Sequence, residues 1–121
     1  MKRLLDCTSS DFAKMSKDEL LYSIAASEGR VLLCESIGAV QPMLGDITNA
    51  EFTASMGADI LLLNMFDVDK PVINGLPKTE PQKVISKIKE LTGRPVGINL
   101  EPVQNILPQD KDSQWSMTKG R

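Results

Sequence analysis

The chain has 121 residues, of which 41% are apolar and 25% charged, with a net charge of -2 and a sequence pI near 5.1. That is the profile of one soluble globular domain, whose single core needs no disulfide or structural metal. It contains no histidine, which excludes Ser-His-Asp and Cys-His relays, His-ligated zinc and phosphohistidine chemistry. Acid and base work falls to carboxylates, lysines, cysteines or Tyr22. The mildly acidic balance, the scarcity of aromatic residues and the lack of a basic run argue against a nucleic-acid surface.

At the N-terminus, Met1 to Asp6 carries two positive charges but no apolar signal-peptide core, and the run Ile60 to Leu63 is far too short to cross a bilayer. The expectation is a cytoplasmic protein with no membrane partner, in which the widely separated Cys7 and Cys34 stay reduced. Ser16-Lys17-Asp18-Glu19 reads as a capping box opening a helix, with Leu20, Leu21, Ile24 and Ala25 on one face and Gly29 as its stop. Val31 to Glu35 is a short apolar run between glycines, which predicts a strand buried on both faces. Thr48-Asn49-Ala50-Glu51 is a second capping box, and its helix should end at Gly57. Ile60 to Asn64 is the second predicted strand. Thr79, Glu80 and Pro81 read as N-cap, N1 and N2 of a helix with the stripe Val84, Ile85, Ile88 and Leu91, stopped by Gly93. Pro95 to Leu100 is the third strand, with Gly97 allowing close approach.

Strand and helix alternate, which predicts right-handed βαβ crossovers and a parallel α/β sheet. A doubly wound sheet and part of a TIM-barrel-like (β/α) fold both satisfy that alternation, and since a complete barrel takes about 250 residues there is room for about half of one. Residues 1–103 form the expected partial barrel domain, and 104–121 an irregular polar C-terminal tail.

In parallel α/β architectures ligands bind beyond the carboxyl ends of the strands. Those ends carry Glu35 after Cys34, Asn64 followed by Asp67 and Asp69, and Asn99 with Glu101 on one face by period two. Converging hard oxygen atoms suit Mg2+ or Mn2+. The candidate site is therefore Glu35, Asn64, Asp67, Asn99 and Glu101, with Glu35, Asp67 and Glu101 as metal ligands. Each has a plainer use: Asp67 and Asp69 in an Asx turn before Pro71, the glutamates as solvated loop residues, the asparagines as strand-end caps. Cys34 reads more readily as a small core residue than as a nucleophile, Asp46 as a loop residue, and Lys83, Lys87 and Lys89 as a solvated helix face. No Walker motif or Gly-x-Gly-x-x-Gly follows any strand, which leaves the helix starts after Thr48 or Thr79 as places for a phosphate.

Four phrases carry a resemblance: Leu4-Leu5-Asp6-Cys7-Thr8-Ser9-Ser10-Asp11-Phe12, Gly45-Asp46-Ile47-Thr48-Asn49-Ala50-Glu51, Gly57-Ala58-Asp59 through Phe66-Asp67, and Gly93-Arg94-Pro95 through Glu101-Pro102. Together they resemble the first part of uncharacterised bacterial TIM-barrel proteins of the phosphoenolpyruvate phosphonomutase-like group. The resemblance implies Mg2+-dependent mutase- or lyase-like chemistry on a small carboxylate or phosphorylated substrate, namely a 2-oxo or enol acid. The Asp-rich metal motif of true phosphoenolpyruvate mutases and isocitrate lyases is absent, so the resemblance carries over the fold and the face rather than the ligands. Members of the group are more than twice as long, so the expectation is a half barrel with open strand edges. A homodimer is the expected remedy, with Ile106, Leu107 and Trp115 of the tail as the other cover. The reading from a different class is a non-catalytic α/β remnant or interaction domain.

Overall fold

A computed structural model of the chain describes residues 2–100. In chain order they form a 3-10 turn at Leu4–Asp6, α1 (Ser9–Phe12), α2 (Lys17–Ala26), β1 (Leu33–Ile37), α3 (Asn49–Ser55), β2 (Ile60–Asn64), a 3-10 turn at Pro81–Lys83, α4 (Val84–Thr92) and β3 (Val96–Ile98). The third strand, expected over 95–100, is shorter, Val96–Ile98, and Leu100 after it is exposed; residues 101–121, with the expected tail, lie outside the described residues.

Both expected capping boxes are present. Ser16 accepts from the Glu19 amide at 3.2 Å while Glu19 accepts from the Ser16 amide at 2.8 Å, and Thr48 with Glu51 repeats the exchange at 3.1 and 2.9 Å. At the start of α1 half of the exchange is made, with the Asp11 carboxylate accepting from the Thr8 amide at 2.8 Å while the Thr8 hydroxyl accepts no capping bond. The helix expected from Thr79 begins later. Glu80 is extended (φ -63, ψ 141) and the Thr79 hydroxyl donates to the Pro77 carbonyl instead of capping. The cause is local: the ring of Pro81 disfavours helical backbone at the residue before it, so Pro81 opens the first turn and α4 follows from Val84. Gly93 ends α4 in the left-handed region at φ 64.

The three strands are parallel and ordered β1-β2-β3. Each strand lies beside its predecessor, and Ala50 and Ala54 of α3 join Val84, Ile85 and Ile88 of α4 in one cluster against Leu61, Leu63, Val96 and Ile98. Both crossover helices therefore lie on the same face. Sequential neighbours with both helices on one face occur in one half of a doubly wound sheet and in a stretch of a (β/α) barrel alike, so both arrangements expected of the sequence accommodate this sheet.

Two expectations of burial are overturned. The first strand starts at Leu33, two residues later than predicted, because the Leu32 amide donates to the Asp59 carboxylate at 2.8 Å and the Leu32 carbonyl accepts from the Asp59 and Ile60 amides. It is not buried on both faces: Leu32 and Leu33 are 61% and 53% exposed. In α2 the expected apolar stripe is only half used. Leu21 and Ala25 are exposed, and the buried positions are Ser23 and, just beyond the helix, Ser27, whose hydroxyl accepts from the Leu4 amide at 3.1 Å. The short N-terminal turn, rather than the sheet, is what α2 packs on.

Candidate functional site

Residues paired across parallel strands point to the same side of a sheet. The register sets Leu33 beside Ile60, Glu35 beside Leu62 and Gly97, and Ile37 beside Asn64. These side chains form the face that no described helix covers, while Cys34, Leu61, Leu63, Val96 and Ile98 face the helices. The open face is apolar at the amino end of the strands and polar at the carboxyl end. A Cβ on Gly97 would lie 3.4 Å from Leu62 Cδ1, so the leucine rests over the glycine.

The sequence-predicted residues separate into three situations. Asn64 and Asn99 meet: Asn99 Nδ2 lies 3.4 Å from Asn64 Oδ1, and the Asn99 amide donates to the Leu63 carbonyl at 3.0 Å, extending the ladder past β3. Glu35 lies on the same open face but at mid-strand rather than at the strand end, a consequence of the later start of β1. Its side chain is exposed and makes no hydrogen bond or ion pair among the described residues. Asp67 is buried, and its Oδ1 accepts from the Asp69 amide at 2.9 Å and the Lys70 amide at 3.3 Å. This is the Asx turn expected as the plainer use. Glu101 lies outside the described residues. Among the described residues no three His, Cys, Asp or Glu side chains stand together as a metal-binding group.

Cys34 is half-buried against the core, as expected of a small core residue. Ser36, on the same covered face, keeps a buried hydroxyl oxygen without a hydrogen-bond partner among the described residues. Of the two helix starts considered for phosphate, the one after Thr48 has the Glu51 carboxylate accepting from the Thr48 amide and hydroxyl, and Thr79 is not a cap.

The loops at the carboxyl end are tied together by residues that the sequence reading missed. Asn49 donates to the Ile37 carbonyl at 3.0 Å and accepts from the Met43 amide at 2.9 Å. Asn74 donates its side-chain amide to the Ala39 carbonyl at 2.6 Å and its backbone amide to the Gly38 carbonyl at 2.8 Å. Gly75, at φ +86, lets the second loop press on the first, since a Cβ there would lie 3.1 Å from the Ile47 carbonyl carbon. The dipeptide Asn74-Gly75 was the available signal for this turn. Met65 had none: it is buried at φ 55, held there with the Asn64 carboxamide accepting from its backbone amide at 2.8 Å. A left-handed methionine directly after β2 is the strained point of the rim.

The groups with shifted acidity lie elsewhere, in the N-terminal segment. The Thr8 amide and the Lys2 ammonium hold the Asp11 carboxyl below the usual carboxylate range, Arg3 does the same for Asp6, and burial pushes the Cys7 thiol up.

A family model described as a domain of unknown function, DUF7916, matches residues 5–121. The chain belongs to that family. The match spans the N-terminal turns, the sheet with its helices, and residues 101–121 alike. No curated protein and no solved structure matched the chain. No helix among the described residues is long and apolar enough to cross a membrane.

Proposed function

We propose that this chain forms the first βα units of a phosphoenolpyruvate phosphonomutase-like (β/α) barrel, acting on a small 2-oxo or enol carboxylate with a divalent cation such as Mg2+. The sequential strand order fits this reading, because consecutive strands are neighbours and helices share one face in such barrels. The observation that carries it is the meeting of Asn99 with Asn64 at the carboxyl rim, on the same open face as the unengaged Glu35 carboxylate.

Mg2+ is commonly held by one or two carboxylates together with water and substrate. Glu35 and Glu101 are assigned that task, and Asp67, whose Oδ1 serves the turn, has Oδ2 left for it. Such a cation would offset charge developing on an enolate oxygen. The chain's own residues do the rest: the Asn64 and Asn99 carboxamides orient the substrate carboxylate, and the apolar side chains below them limit water. The interlocked loops fix the rim before ligand arrives, so little ordering cost falls on binding.

Calorimetric titration with Mg2+ or Mn2+, with and without oxaloacetate, tests the proposal on the wild type, Glu35→Gln and Glu101→Gln. The expected result is cation-dependent binding of the oxo acid that weakens severalfold in each variant. Identical heats in all three would remove these carboxylates from the site. The second reading, a non-catalytic interaction domain, is favoured by the backbone-bound Asp67 carboxylate, and it predicts no heat in any of the three.

A further inference from the structure

The apolar residues of the N-terminal segment are not all spent on the core. Phe12, Met15 and Leu20 are half-buried, yet none of them joins the cluster that α3 and α4 build on the sheet. Together with Pro95 and Val96, at the start of β3, they line a cavity of about 530 Å³. Its two walls meet at Ser9 and Gly93: a Cβ on Gly93 would lie 2.8 Å from Ser9 Cβ, so the bare left-handed glycine lets α1 rest on the end of α4. From that contact the chain runs into α2, which packs on the Leu4–Asp6 turn rather than on α4 and so leaves the space between them unfilled.

The charges around this cavity are of one sign in effect. Lys17, Lys89 and Arg94 line it, and none of the three side chains is engaged in an ion pair among the described residues. The carboxylate on the same lining, Glu90, is held by Lys87 at 3.1 Å. Unanswered cations beside apolar walls concentrate a field that favours an anion. Arg94 is half-buried, and its planar guanidinium matches the two oxygens of a carboxylate. Small-molecule sites are clefts of about 300–1,000 Å³ with mostly apolar walls and a few polar groups that fix orientation, and this cavity has that size and make-up.

We propose that this cavity is a second binding site, which takes a small amphipathic carboxylate. The apolar body lies against Phe12, Met15, Leu20, Pro95 and Val96, and the head group is held by Arg94 with Lys17 and Lys89. A bare inorganic anion would leave the apolar walls wet, and a neutral or cationic apolar molecule would leave the charges unanswered, so both parts of the ligand are needed. The site lies at the amino end of β3, whereas Asn64 and Asn99 meet at the carboxyl rim. The inference therefore does not rest on a cation or an oxo acid binding at that rim.

Octanoate is the probe, titrated calorimetrically into the unmodified full chain at low salt, with EDTA present so that no divalent cation contributes. Acetate, inorganic phosphate and octylammonium are the comparisons. The expected result is one octanoate per chain, bound about tenfold tighter than any comparison, because burial of its chain and pairing of its head both contribute. Arg94→Gln should weaken octanoate severalfold. Ala13→Trp, which fills the cavity from an exposed position on its lining, should abolish binding while far-ultraviolet circular dichroism stays unchanged. Glu35→Gln and Leu33→Asp alter the open sheet face and should leave octanoate binding as it is. Octylammonium binding as tightly as octanoate overturns the proposal, since the walls alone then suffice, and so does phosphate binding as tightly, since the charges alone then suffice. An affinity unchanged by Arg94→Gln, a loss on Leu33→Asp, or no octanoate heat at all overturns it too.

Discussion

Along β2 the two faces of the sheet carry the same aliphatic residue types and end in different states. On one, Leu61 and Leu63 are fully buried among α3 and α4; on the other, Ile60 and Leu62 of the same strand are half-buried and their neighbour Leu33 is more exposed than not. A run of consecutive aliphatic residues therefore marks a strand without telling how well either side of it is covered. The difference separates what holds the fold from what is left to solvent: the helix side packs the core, and the opposite side carries the candidate residues Glu35, Asn64 and Asn99.

The largest expected effect breaks the comparison directly. Leu63→Ala should lower unfolding free energy by about 3 kcal/mol in urea titration, from lost transfer energy and a residual cavity. Leu62→Ala, one position along, should cost about 1 kcal/mol because its side chain is only half-buried. Equal losses would show that both faces hold the fold equally. Next comes Gly93→Ala at the end of α4, where the new Cβ would meet Ser9 Cβ at 2.8 Å in a left-handed backbone. It should cost about 2 kcal/mol and lower the thermal midpoint.

Helix starts sharpen the contrast between the part packed on the sheet and the part outside it. Thr48→Ala removes a fully buried cap under the core and should cost about 1–2 kcal/mol; Ser16→Ala removes an exposed one and should cost about 0.5 kcal/mol. Gly97→Ala on the open face should fall within about 0.5 kcal/mol of wild type, since the added methyl makes ordinary contact with Leu62. The smallest effect is on acid response. The Asp11 carboxyl titrates lower in the folded chain than in the unfolded one, so its contribution is present above the ordinary carboxylate range and disappears as pH falls through the native value. Asp11→Asn should flatten that acid limb in a plot of thermal midpoint against pH.

Much of the fold was legible because its signals are local. Ser16, Thr48, Gly57 and Gly93 are start and stop marks whose physics acts within one turn, and Ile60 to Asn64 is short, apolar and follows a glycine. Thr8-x-x-Asp11 was just as local and was overlooked. What could not be read depended on contacts far along the chain. Leu32 is kept out of the first strand by Asp59, and Leu21 is exposed because α2 has a short turn rather than a sheet beneath it. The candidate site was legible as positions rather than as geometry: period two placed Asn99 on a face, but not beside Asn64, and the sequence did not reveal whether Asp67 would point to a ligand or to its own backbone. Glu101 lies outside the described residues.

The unbroken order β1-β2-β3 has a consequence for how the molecule forms. The first two strands are joined by contacts spanning 27 residues, Leu32 to Asp59, and the next pair by contacts spanning 35, Asn64 to Asn99. Among the described strands, none must wait for a distant part of the chain to slot between neighbours. Each closure carries a similar, moderate entropic cost, which grows only with the logarithm of loop length. A chain emerging from the ribosome can thus zip its sheet one unit at a time in the direction of synthesis, with each crossover helix docking as its second strand arrives.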